Sequence, residues 1–316
     1  MMRISLYLAV LGISLISTVM TSAMAANVKV TALGGQEGEF CRLDRALLFE
    51  DPDGTRLLYD PGMTVAGPED PRLGIIDVVL VSHMHGDQVG SRHNALPNAG
   101  SCAMPDLSVA AVPNTNVVNI LLAKNAKIVT GSEMPAFFAG KLKALDGDPK
   151  NSLLVRFGAS KKIGGVEIAT VPAVHSNGVS PSFIGGELGE AMAAAGIGGH
   201  VVRFSNGLVV YLSGDTGITA EQELVVRKFY KAALAVINIG DTFTTGPTEA
   251  AYVINELVKP IYVIASHANE EAIRNGKVRP GTRTEAFQKT VKVPVHIPLS
   301  GSVMEFDGIG TCVAGC

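Results

Sequence analysis

An apolar run leads directly into three potential metal ligands in the stretch Val79-Leu80-Val81-Ser82-His83-Met84-His85-Gly86-Asp87-Gln88. Alternate side chains of an extended backbone lie on one face, so His83 and His85 can reach the same ion. Gly86 then permits a turn that sends Asp87 towards a neighbouring ion. Neutral imidazole and carboxylate groups are the ligands expected for Zn²⁺ and related metals. The stretch therefore predicts a buried strand that ends in a metal-binding loop.

Three later apolar runs end in the same residue types. His175 follows residues 171–174, Asp215 lies between two glycines after residues 211–213, and His267 follows residues 264–266. A single histidine at the end of a strand is more often structural than a ligand, but four such strand ends in one chain indicate a shared metal centre. Its predicted ligands are His83, His85, Asp87, His175, Asp215 and His267.

Short β runs separated by turns dominate the first two thirds of the chain, and helices are interspersed among them. Asp51-Pro52-Asp53-Gly54 and Ser205-Asn206-Gly207 have the composition of hairpin turns. Helices are predicted at 116–124 and 248–258, and a short helix is expected at 187–195. Strands are predicted at 28–33, 46–49, 56–59, 77–82, 127–130, 152–157, 166–171, 201–204, 208–212, 233–237, 261–265, 293–297 and 303–306.

The composition is typical of one large folded domain. The chain has 316 residues, of which 47% are hydrophobic and 17% are charged, which is sufficient for a single large core. It has no tryptophan, 5% aromatic residues and a formal net charge of −3. This balance disfavours nucleic-acid binding, which needs basic and stacking surfaces. One domain is therefore expected over residues 26–316, acting on a small molecule, while the oligomeric state is left undefined.

Residues 1–25 have the organisation of a secretory signal peptide. Arg3 supplies the positive start, residues 4–20 are mostly apolar, and Ala23-Met24-Ala25 supplies the small residues of a cleavage site. An uncleaved membrane anchor is the alternative, although the serines inside the apolar stretch disfavour it. Cleavage after Ala25 would leave a periplasmic or secreted protein without a stable membrane anchor.

Four cysteines follow the predicted cleavage site, and none of them has the C-x-x-C spacing of a zinc site. In an oxidising compartment they could form two disulfides, with three possible connectivities. Buried free thiols are the alternative, and the sequence favours neither. The four residues are Cys41, Cys102, Cys312 and Cys316.

The ligand series resembles that of the metallo-β-lactamase superfamily. The element His83-x-His85-x-Asp87 is followed by the three later ligands in the family's order. Asp60-Pro61-Gly62 is similar to the family's early Asp-Pro turn, and the segment 238–251 resembles a branch that includes ascorbate-phosphate lactonase-like proteins. The resemblance covers almost the whole chain after residue 25. It implies an α+β fold, a four-layer αββα sandwich with the metals at one edge between the sheets.

Gln88 departs from the pattern, because the family's full motif is His-x-His-x-Asp-His. The ligand sets that the resemblance implies are His83, His85 and His175 for the first metal, Asp87 and His267 for the second, and Asp215 as a bridge. An amide oxygen is a weaker zinc ligand than imidazole, so Gln88 is at most a weak ligand and the second site is expected to bind less tightly. The cofactor prediction is one or two zinc ions, with Mn²⁺ or Fe²⁺ acceptable in the oxygen-rich second site.

The resemblance also implies a hydrolase. A bound metal lowers the pKa of water to about 7 and so generates a hydroxide nucleophile. Asp87 is the predicted catalytic residue, which orients this water and takes its proton. Esters, lactones and phosphoesters are the expected substrates, and β-lactams are not favoured. The departure at Gln88 supports an alternative, a metal- or ligand-binding protein with weak or no turnover.

The Gly- and Ala-rich segment 177–199 starts directly after His175 and is expected to flank the entrance to the site. Phe183, Ile184 and Met192 are predicted to contact an apolar part of the substrate. Packing of this segment against the rest of the protein surface is the alternative.

Three further histidines are assigned by their surroundings. His93 is predicted to be a surface residue, with replacement of the missing metal ligand as the alternative. His200 and His296 lie at or within strands and are predicted to be structural.

Overall fold

A computed structural model describes residues 26–176, 178–184 and 198–316. The predicted signal peptide at residues 1–25 and the short helix expected at 187–195 lie outside these described residues. Within the described residues, no helix is long and apolar enough to cross a membrane.

One sheet combines strands from both ends of the described chain. Its strands are β1 (Val28–Ala32), β2 (Leu47–Glu50), β3 (Arg56–Tyr59), β4 (Val78–Leu80), β7 (Lys127–Thr130), β8 (Ser152–Leu154), β18 (Val303–Phe306) and β19 (Cys312–Ala314). Their spatial order is β19-β18-β1-β2-β3-β4-β7-β8. Pairing is antiparallel from β19 to β3 and parallel from β3 to β8.

The other sheet is built from the second half of the chain. Its strands are β9 (Ser160–Ile163), β10 (Val166–Pro172), β11 (Gly198–Arg203), β12 (Val209–Leu212), β13 (Leu234–Asn238), β14 (Tyr262–Ser266) and β17 (Val295–His296). Their spatial order is β17-β14-β13-β12-β11-β10-β9. Pairing is antiparallel from β9 to β12 and parallel from β12 to β17. As a result, β10, β12 and β14 all run in the same direction.

The remaining regular elements cover the sheets or form short ribbons. The helices are α1 (Gly86–Val89), α2 (Asn116–Lys124), α3 (Met134–Ala144), α4 (Gln222–Tyr230, with π-helical hydrogen bonding), α5 (Pro247–Tyr252, continuing as the π-helical Val253–Val258) and α6 (Arg283–Thr290), with single 3₁₀ turns at Pro149–Asn151 and Pro181–Phe183. The ribbon strands are β5 (Arg92–His93) with β6 (Val109–Ala110), and β15 (Ile273–Arg274) with β16 (Lys277–Val278).

Alternate strand residues enter different apolar layers, as the pleat of a strand requires. Val78 and Leu80 of β4 belong to a core shared by the two sheets, whereas Val79 packs on the outer side with residues of α2 and α3. In the other sheet, Leu234 of β13 faces the shared core and Ala235 packs outward with residues of α4, α5 and α6. The order of layers is therefore helix, sheet, sheet, helix, which confirms the predicted αββα sandwich.

Each predicted strand and the helices predicted at 116–124 and 248–258 are present, with ends that differ by a few residues. Both predicted hairpins are also present: β2 pairs with β3 around Asp51–Gly54, and β11 pairs with β12 around Ser205–Gly207. The sequence did not predict α1, α3, α4 and α6, the edge strands β9 and β19, or the short ribbon strands β5, β6, β15 and β16.

The four cysteines form two disulfides, which agrees with the paired alternative. Cys41 bonds to Cys102 with their Cα atoms 5.0 Å apart, and Cys312 bonds to Cys316 with their Cα atoms 6.3 Å apart. The first bond ties the loop before β2 to a loop 61 residues later.

Candidate metal centre

The predicted ligands converge at one end of the two sheets. His175, Asp215 and His267 follow the carboxyl ends of β10, β12 and β14. Because these strands run in the same direction, residues that follow them meet at one edge of the sheet. His83 and His85 follow β4 of the facing sheet. The centre is therefore assembled from both sheets, at the edge of the sandwich.

Three histidines form a compact cluster. The ligating nitrogens of His83, His85 and His175 all lie within 4.8 Å of one another, and His85 Nδ1 is 3.3 Å from His175 Nε2. Nitrogens that bind one tetrahedral zinc ion at about 2.0–2.1 Å lie about 3.3–3.4 Å apart, so this spacing suits one ion. Burial lowers the pKa of His83 to about 3 and also lowers that of His175. Both rings are therefore neutral near neutral pH, as metal ligands must be.

His83 is oriented by a relay of hydrogen bonds behind it. The Ser82 hydroxyl donates a hydrogen bond to Asp60 Oδ2 at 2.8 Å, and Ser82 Oγ lies 2.9 Å from His83 Nδ1. Because the serine proton is already used, Oγ accepts from His83 Nδ1–H. This tautomer leaves the lone pair on His83 Nε2, which faces the centre. Burial raises the pKa of Asp60 to about 7, although the Ser82 backbone and side chain donate to it and lower the value.

Asp215 lies at the middle of the ligand set. Its Oδ2 is 3.7 Å from His83 Nε2, 3.8 Å from His175 Nε2 and 3.2 Å from His267 Nε2. Burial would raise the pKa of Asp215, but the neighbouring His267 and His83 outweigh it and hold this pKa well below its usual range. One carboxylate oxygen of Asp215 therefore lies near histidines of both predicted ligand sets, and its bridging role stays a prediction.

Unusual backbone conformations aim two of these ligands. Gly214 has φ +59° and His267 has φ +49°, in the left-handed region that non-glycine residues adopt at some cost. The Gly214 N–H donates to the Tyr59 hydroxyl at 2.9 Å. A Cβ at Gly214 would lie 2.8 Å from the Cβ of Ser82. The turn before Asp215 therefore needs glycine both for its backbone conformation and for its close approach to the first sheet.

Asp87 forms an ion pair with Arg45, a residue that no pattern in the sequence indicated. Its Oδ2 accepts a hydrogen bond from Arg45 Nη1 and lies 3.4 Å from His267 Nε2. Burial would raise the pKa of Asp87, but Arg45 and His267 outweigh it and hold this pKa far below its usual range. Asp87 is therefore a fixed anion at the edge of the ligand set.

Gln88 is buried at the position of the family's second-site histidine. Its Nε2 donates to Asp215 Oδ2 at 3.2 Å, while its Oε1 is buried with no hydrogen-bond partner among the described residues. In this orientation the amide presents a donor to the bridging carboxylate. The structure thus places Gln88 beside the predicted second site but with its N–H₂ group towards it.

The ligand set forms the floor of an open cleft of about 680 Å³. His85, Asp87, His175, Asp215 and His267 all line it. Its upper walls come from loops that follow β13 and β14 and from the loop before β2. The residues there include Arg42, Asp241, Phe243, Glu270, Glu271 and Arg283. A small molecule can therefore reach the predicted metal ligands from solvent.

The donor set fits a bound metal ion. Among the described residues, His83 Nε2 is buried without a hydrogen-bond partner, whereas His267 Nε2 lies 3.2 Å from Asp215 Oδ2. A buried polar atom without a partner costs about 1–3 kcal/mol. An ion between His83, His85 and His175 would provide His83 Nε2 with a partner, so the residues present suit the group that the ligand series predicts.

Two sequence expectations near the centre are wrong. His93 is not a surface residue, because it is buried in β5 with its Nδ1 2.8 Å from the Asn94 carbonyl oxygen. Phe183 is not free to contact a substrate, because it is buried with Val179 in the core beneath α2 and α3. Ile184 packs against the same core, and Met192 lies outside the described residues. Residues 178–184 therefore pack against the rest of the protein, which was the alternative to lining the site.

Two other histidines have the surroundings expected of structural residues. His200 is buried in β11, and its Nε2 lies 3.4 Å from the Val81 carbonyl oxygen. His296 is half-buried in β17, at the opposite end of the sheet order from β9.

The comparison with known families agrees with this geometry. Residues 44–267 match the Beta-lactamase superfamily domain. The matched segment includes every predicted ligand from His83 to His267. It also includes the strands β2, β3, β4, β7 and β8 of the first sheet. The chain therefore belongs to the β-lactamase superfamily.

Curated relatives with similar sequences are named as hydrolases. A UPF0173 metal-dependent hydrolase of Polynucleobacter asymbioticus is 27% identical over 272 residues, which are 82% of this chain and 82% of that protein. Another, from Thermodesulfovibrio yellowstonii, is 29% identical over 252 residues, which are 76% of this chain and 82% of that protein. Together with the family match, these relatives support a metal-dependent hydrolase.

Solved structures share the fold at low sequence identity. Igni18, a metallo hydrolase from Ignicoccus hospitalis, has a TM-score of 0.57 and 18% identity, and the match covers 89% of this chain and 99% of that one. The metallo-beta-lactamase fold protein YhfI from Bacillus subtilis has a TM-score of 0.54 and 16% identity, with the same coverage. These likenesses support the αββα fold.

Proposed function

We propose that the protein is an exported metal-dependent hydrolase that cleaves an ester, a lactone or a phosphoester. The observation that carries the proposal is the convergence of the six predicted ligands, five of which line one open cleft while His83 is buried beside them. A metal ion bound there would lower the pKa of a water molecule and polarise the group under attack.

Asp87 has the position and charge to orient the attacking water. Its side chain is 34% exposed and lines the cleft beside His267. Because Arg45 keeps this carboxylate ionised, Asp87 accepts a hydrogen bond from water at neutral pH. A carboxylate with so low a pKa is a weak base, so orientation of the water is favoured over acceptance of its proton.

Arg42 and Phe243 on the walls of the cleft favour a substrate with both a negative and an apolar part. Arg42 is exposed at the cleft, whereas Arg283 on the wall lies 3.9 Å from both Asp241 and Glu270. Phe243 is 71% exposed and lines the cleft, where it can contact an apolar group. Phosphoesters with an apolar alcohol, and esters or lactones that carry a carboxylate, combine these properties.

Hydrolysis is tested with purified protein reconstituted with Zn²⁺, Mn²⁺ or Fe²⁺. The panel contains chromogenic carboxylic esters, lactones, phosphomonoesters, phosphodiesters and a cephalosporin. We expect turnover of at least one ester, lactone or phosphoester that is lost in chelator and restored by metal. His83→Ala should lose both metal and turnover, whereas His296→Ala, a change outside the cleft, should keep both. Turnover that survives verified metal removal would exclude the proposed chemistry.

Gln88 favours a second candidate, a protein that binds metal and ligand without efficient turnover. This candidate predicts that the reconstituted protein binds a panel compound, seen as a shift in melting temperature, while the bound compound is recovered intact. Recovery of product after long incubation excludes it.

Export rests on the sequence of residues 1–25 and is supported by the two disulfides, since structural disulfides persist mainly in oxidising compartments. Expression of the full chain in a Gram-negative host, followed by fractionation and N-terminal sequencing, tests this. We expect a periplasmic or secreted product that starts at Ala26. A full-length chain retained in the membrane fraction would favour the uncleaved anchor.

A further inference from the structure

The predicted second metal position is already occupied by hydrogen-bond donors. Asp87 Oδ2 lies 3.4 Å from His267 Nε2, and this same oxygen accepts a hydrogen bond from Arg45 Nη1. Asp215 Oδ2, which would bridge to that position, accepts from Gln88 Nε2 at 3.2 Å. Both carboxylate oxygens that would bind a second ion therefore face N–H groups.

Arg45 is buried beside Asp87. Its side chain is 3% exposed, and its Nε donates to the Leu43 carbonyl oxygen at 3.2 Å. A buried guanidinium needs a carboxylate partner, because an unpaired charge is costly away from water. Asp87 is the carboxylate that contacts it. If the Asp87 carboxylate turned away from Arg45 to bind a metal ion, the charge of Arg45 would therefore be left uncompensated.

The two donors differ in whether they can give way to a metal. The Gln88 amide can rotate and offer its oxygen as a ligand. A guanidinium has five N–H donors and no acceptor, and it stays positively charged. A divalent ion on Asp87 Oδ2 would lie next to this positive charge and be repelled by it. Arg45, rather than Gln88, is therefore the main obstacle to a second ion.

The first position lacks such an obstacle among the described residues. His83 Nε2 is buried without a hydrogen-bond partner, and His85 and His175 offer nitrogens at ligand spacing. Asp215 Oδ2 lies on the same side, 3.7 Å from His83 Nε2. The half of the centre around His83, His85 and His175 presents nitrogen lone pairs, whereas the half around Asp87 presents the Arg45 cation.

We propose that the Arg45 guanidinium takes the place of a second metal ion, so that the protein binds one ion at His83, His85 and His175, with Asp215 beside it. Arg45 is then a positioning residue: it fixes and neutralises Asp87, the role that a second ion would otherwise have. This inference concerns the metal content of the centre and does not depend on which substrate is cleaved.

The test is the number of metal ions per chain in wild type, Gln88→His and the double variant Arg45→Met with Gln88→His. Each protein is freed of metal, equilibrated with excess Zn²⁺, dialysed and measured by elemental analysis, and its fold is checked by circular dichroism. We expect one ion in wild type, one in Gln88→His and two in the double variant. Arg56→Met is the matched control, since Arg56 pairs with Glu50 outside the cleft, and it should bind one ion.

The single substitution separates this proposal from a simple lack of the second-site imidazole. If the missing histidine were the whole reason, Gln88→His alone would bind two ions, and the role given to Arg45 would be wrong. Two ions in wild type, or one ion in a folded double variant, would also overturn it. Should the double variant not fold, wild type and Gln88→His still decide the question, because both retain Arg45. Failure of the substrate panel leaves these metal counts unaffected, so the two proposals fail separately.

Discussion

Ser82 lies behind the metal centre and orients one of its predicted ligands, His83. Its hydroxyl connects the buried Asp60 carboxylate to His83 Nδ1, and its own N–H donates to Asp60 Oδ1 at 2.8 Å. Partners of this kind set the tautomer and orientation of a ligating histidine and raise its basicity. The metal affinity of the three-histidine cluster therefore depends on a residue that lies behind it.

Ser82→Ala should lower metal affinity by about 10–100-fold, the usual effect of losing such a partner. The protein should still fold, because the substitution removes a single oxygen. Affinity is measured by competition with a chromophoric chelator. Ser160→Ala, which removes an exposed hydroxyl bonded to Glu167, is the control and should keep wild-type affinity. Equal affinities in both variants would mean that the relay does not orient His83.

At the level of single residues, the sequence revealed the ligands and missed their partners. His83, His85 and Asp87 are recognisable because their spacing is local. Arg45 lies 42 residues before Asp87 in the chain, in a stretch with no metal-type pattern. Its contact with Asp87 exists only after the loop before β2 has folded against β4. Long-range ion pairs of this kind leave no periodic signal in one sequence.

At the level of elements, the directions of the strands create the site. β10, β12 and β14 point the same way, so the ligands that follow them arrive at one edge. Hairpins and capped helices were predicted well because their determinants are local. The bounds of α2 match the prediction: Thr115 Oγ1 accepts from the Val118 N–H, and Asn125 ends the helix in the left-handed conformation.

The helices that the sequence reading missed have weaker signals. α3 buries Met134, Phe138 and Leu142, and this spacing of four residues is a helical pattern that could have been recognised. α4 buries only Gln222 and Val226 among its nine residues, so its apolar stripe is too short to detect. Tertiary packing, rather than local pattern, determines such elements.

Gly214→Ala should disturb both stability and metal binding. The positive φ alone costs about 1–3 kcal/mol for a residue with a Cβ. The new Cβ would also lie 2.8 Å from the Ser82 Cβ, so the turn must shift and displace Asp215. We expect a lower free energy of unfolding in urea together with weaker metal affinity.

Gly276→Ala separates the two causes of that effect. Gly276 has φ +72° and no atom within 4 Å of the position of an added Cβ. Its substitution should cost backbone strain while metal affinity stays unchanged. If Gly214→Ala behaves the same way, the close approach of the two sheets at this turn is not what positions Asp215.

At the scale of the whole molecule, a buried acid makes stability depend on pH. Asp44 is buried and accepts the N–H groups of Gly35 and Cys41 at 2.8 and 2.7 Å. Burial raises its pKa from 3.8 to about 6, against the lowering effect of these bonds and of Arg45. The folded state thus binds this proton more tightly than the unfolded chain. The stabilisation is complete below about pH 4 and is lost as the pH rises through about 6.

Asp44→Asn should remove this dependence, because the amide resembles the protonated acid and does not titrate. The free energy of unfolding of wild type minus that of the variant should fall by about 3 kcal/mol between pH 4 and pH 8. Urea unfolding of both metal-free proteins at the two pH values measures it. Groups that titrate equally in both proteins cancel in the difference. A difference that does not change with pH would show that Asp44 is not perturbed as described.

Because its ligands come from both sheets, the metal centre should also act as a cross-link of the whole sandwich. His83 and His85 follow β4 of one sheet, and His175, Asp215 and His267 follow strands of the other. An ion that binds the folded chain and not the unfolded chain stabilises it by about 4 kcal/mol at 1,000 times its dissociation constant. For a chain of this size that corresponds to a rise of roughly 10 °C in melting temperature. Chelation should therefore lower the melting temperature of wild type by about this amount. His83→Ala should melt near the melting temperature of chelated wild type and respond little to chelator.

Hydrogen exchange should report the loss of the ion in both sheets at once, in peptides covering residues 78–90 and 209–217. Faster exchange confined to one sheet after verified metal removal would mean that the ion is held by that sheet alone, which would contradict a centre shared across the sandwich.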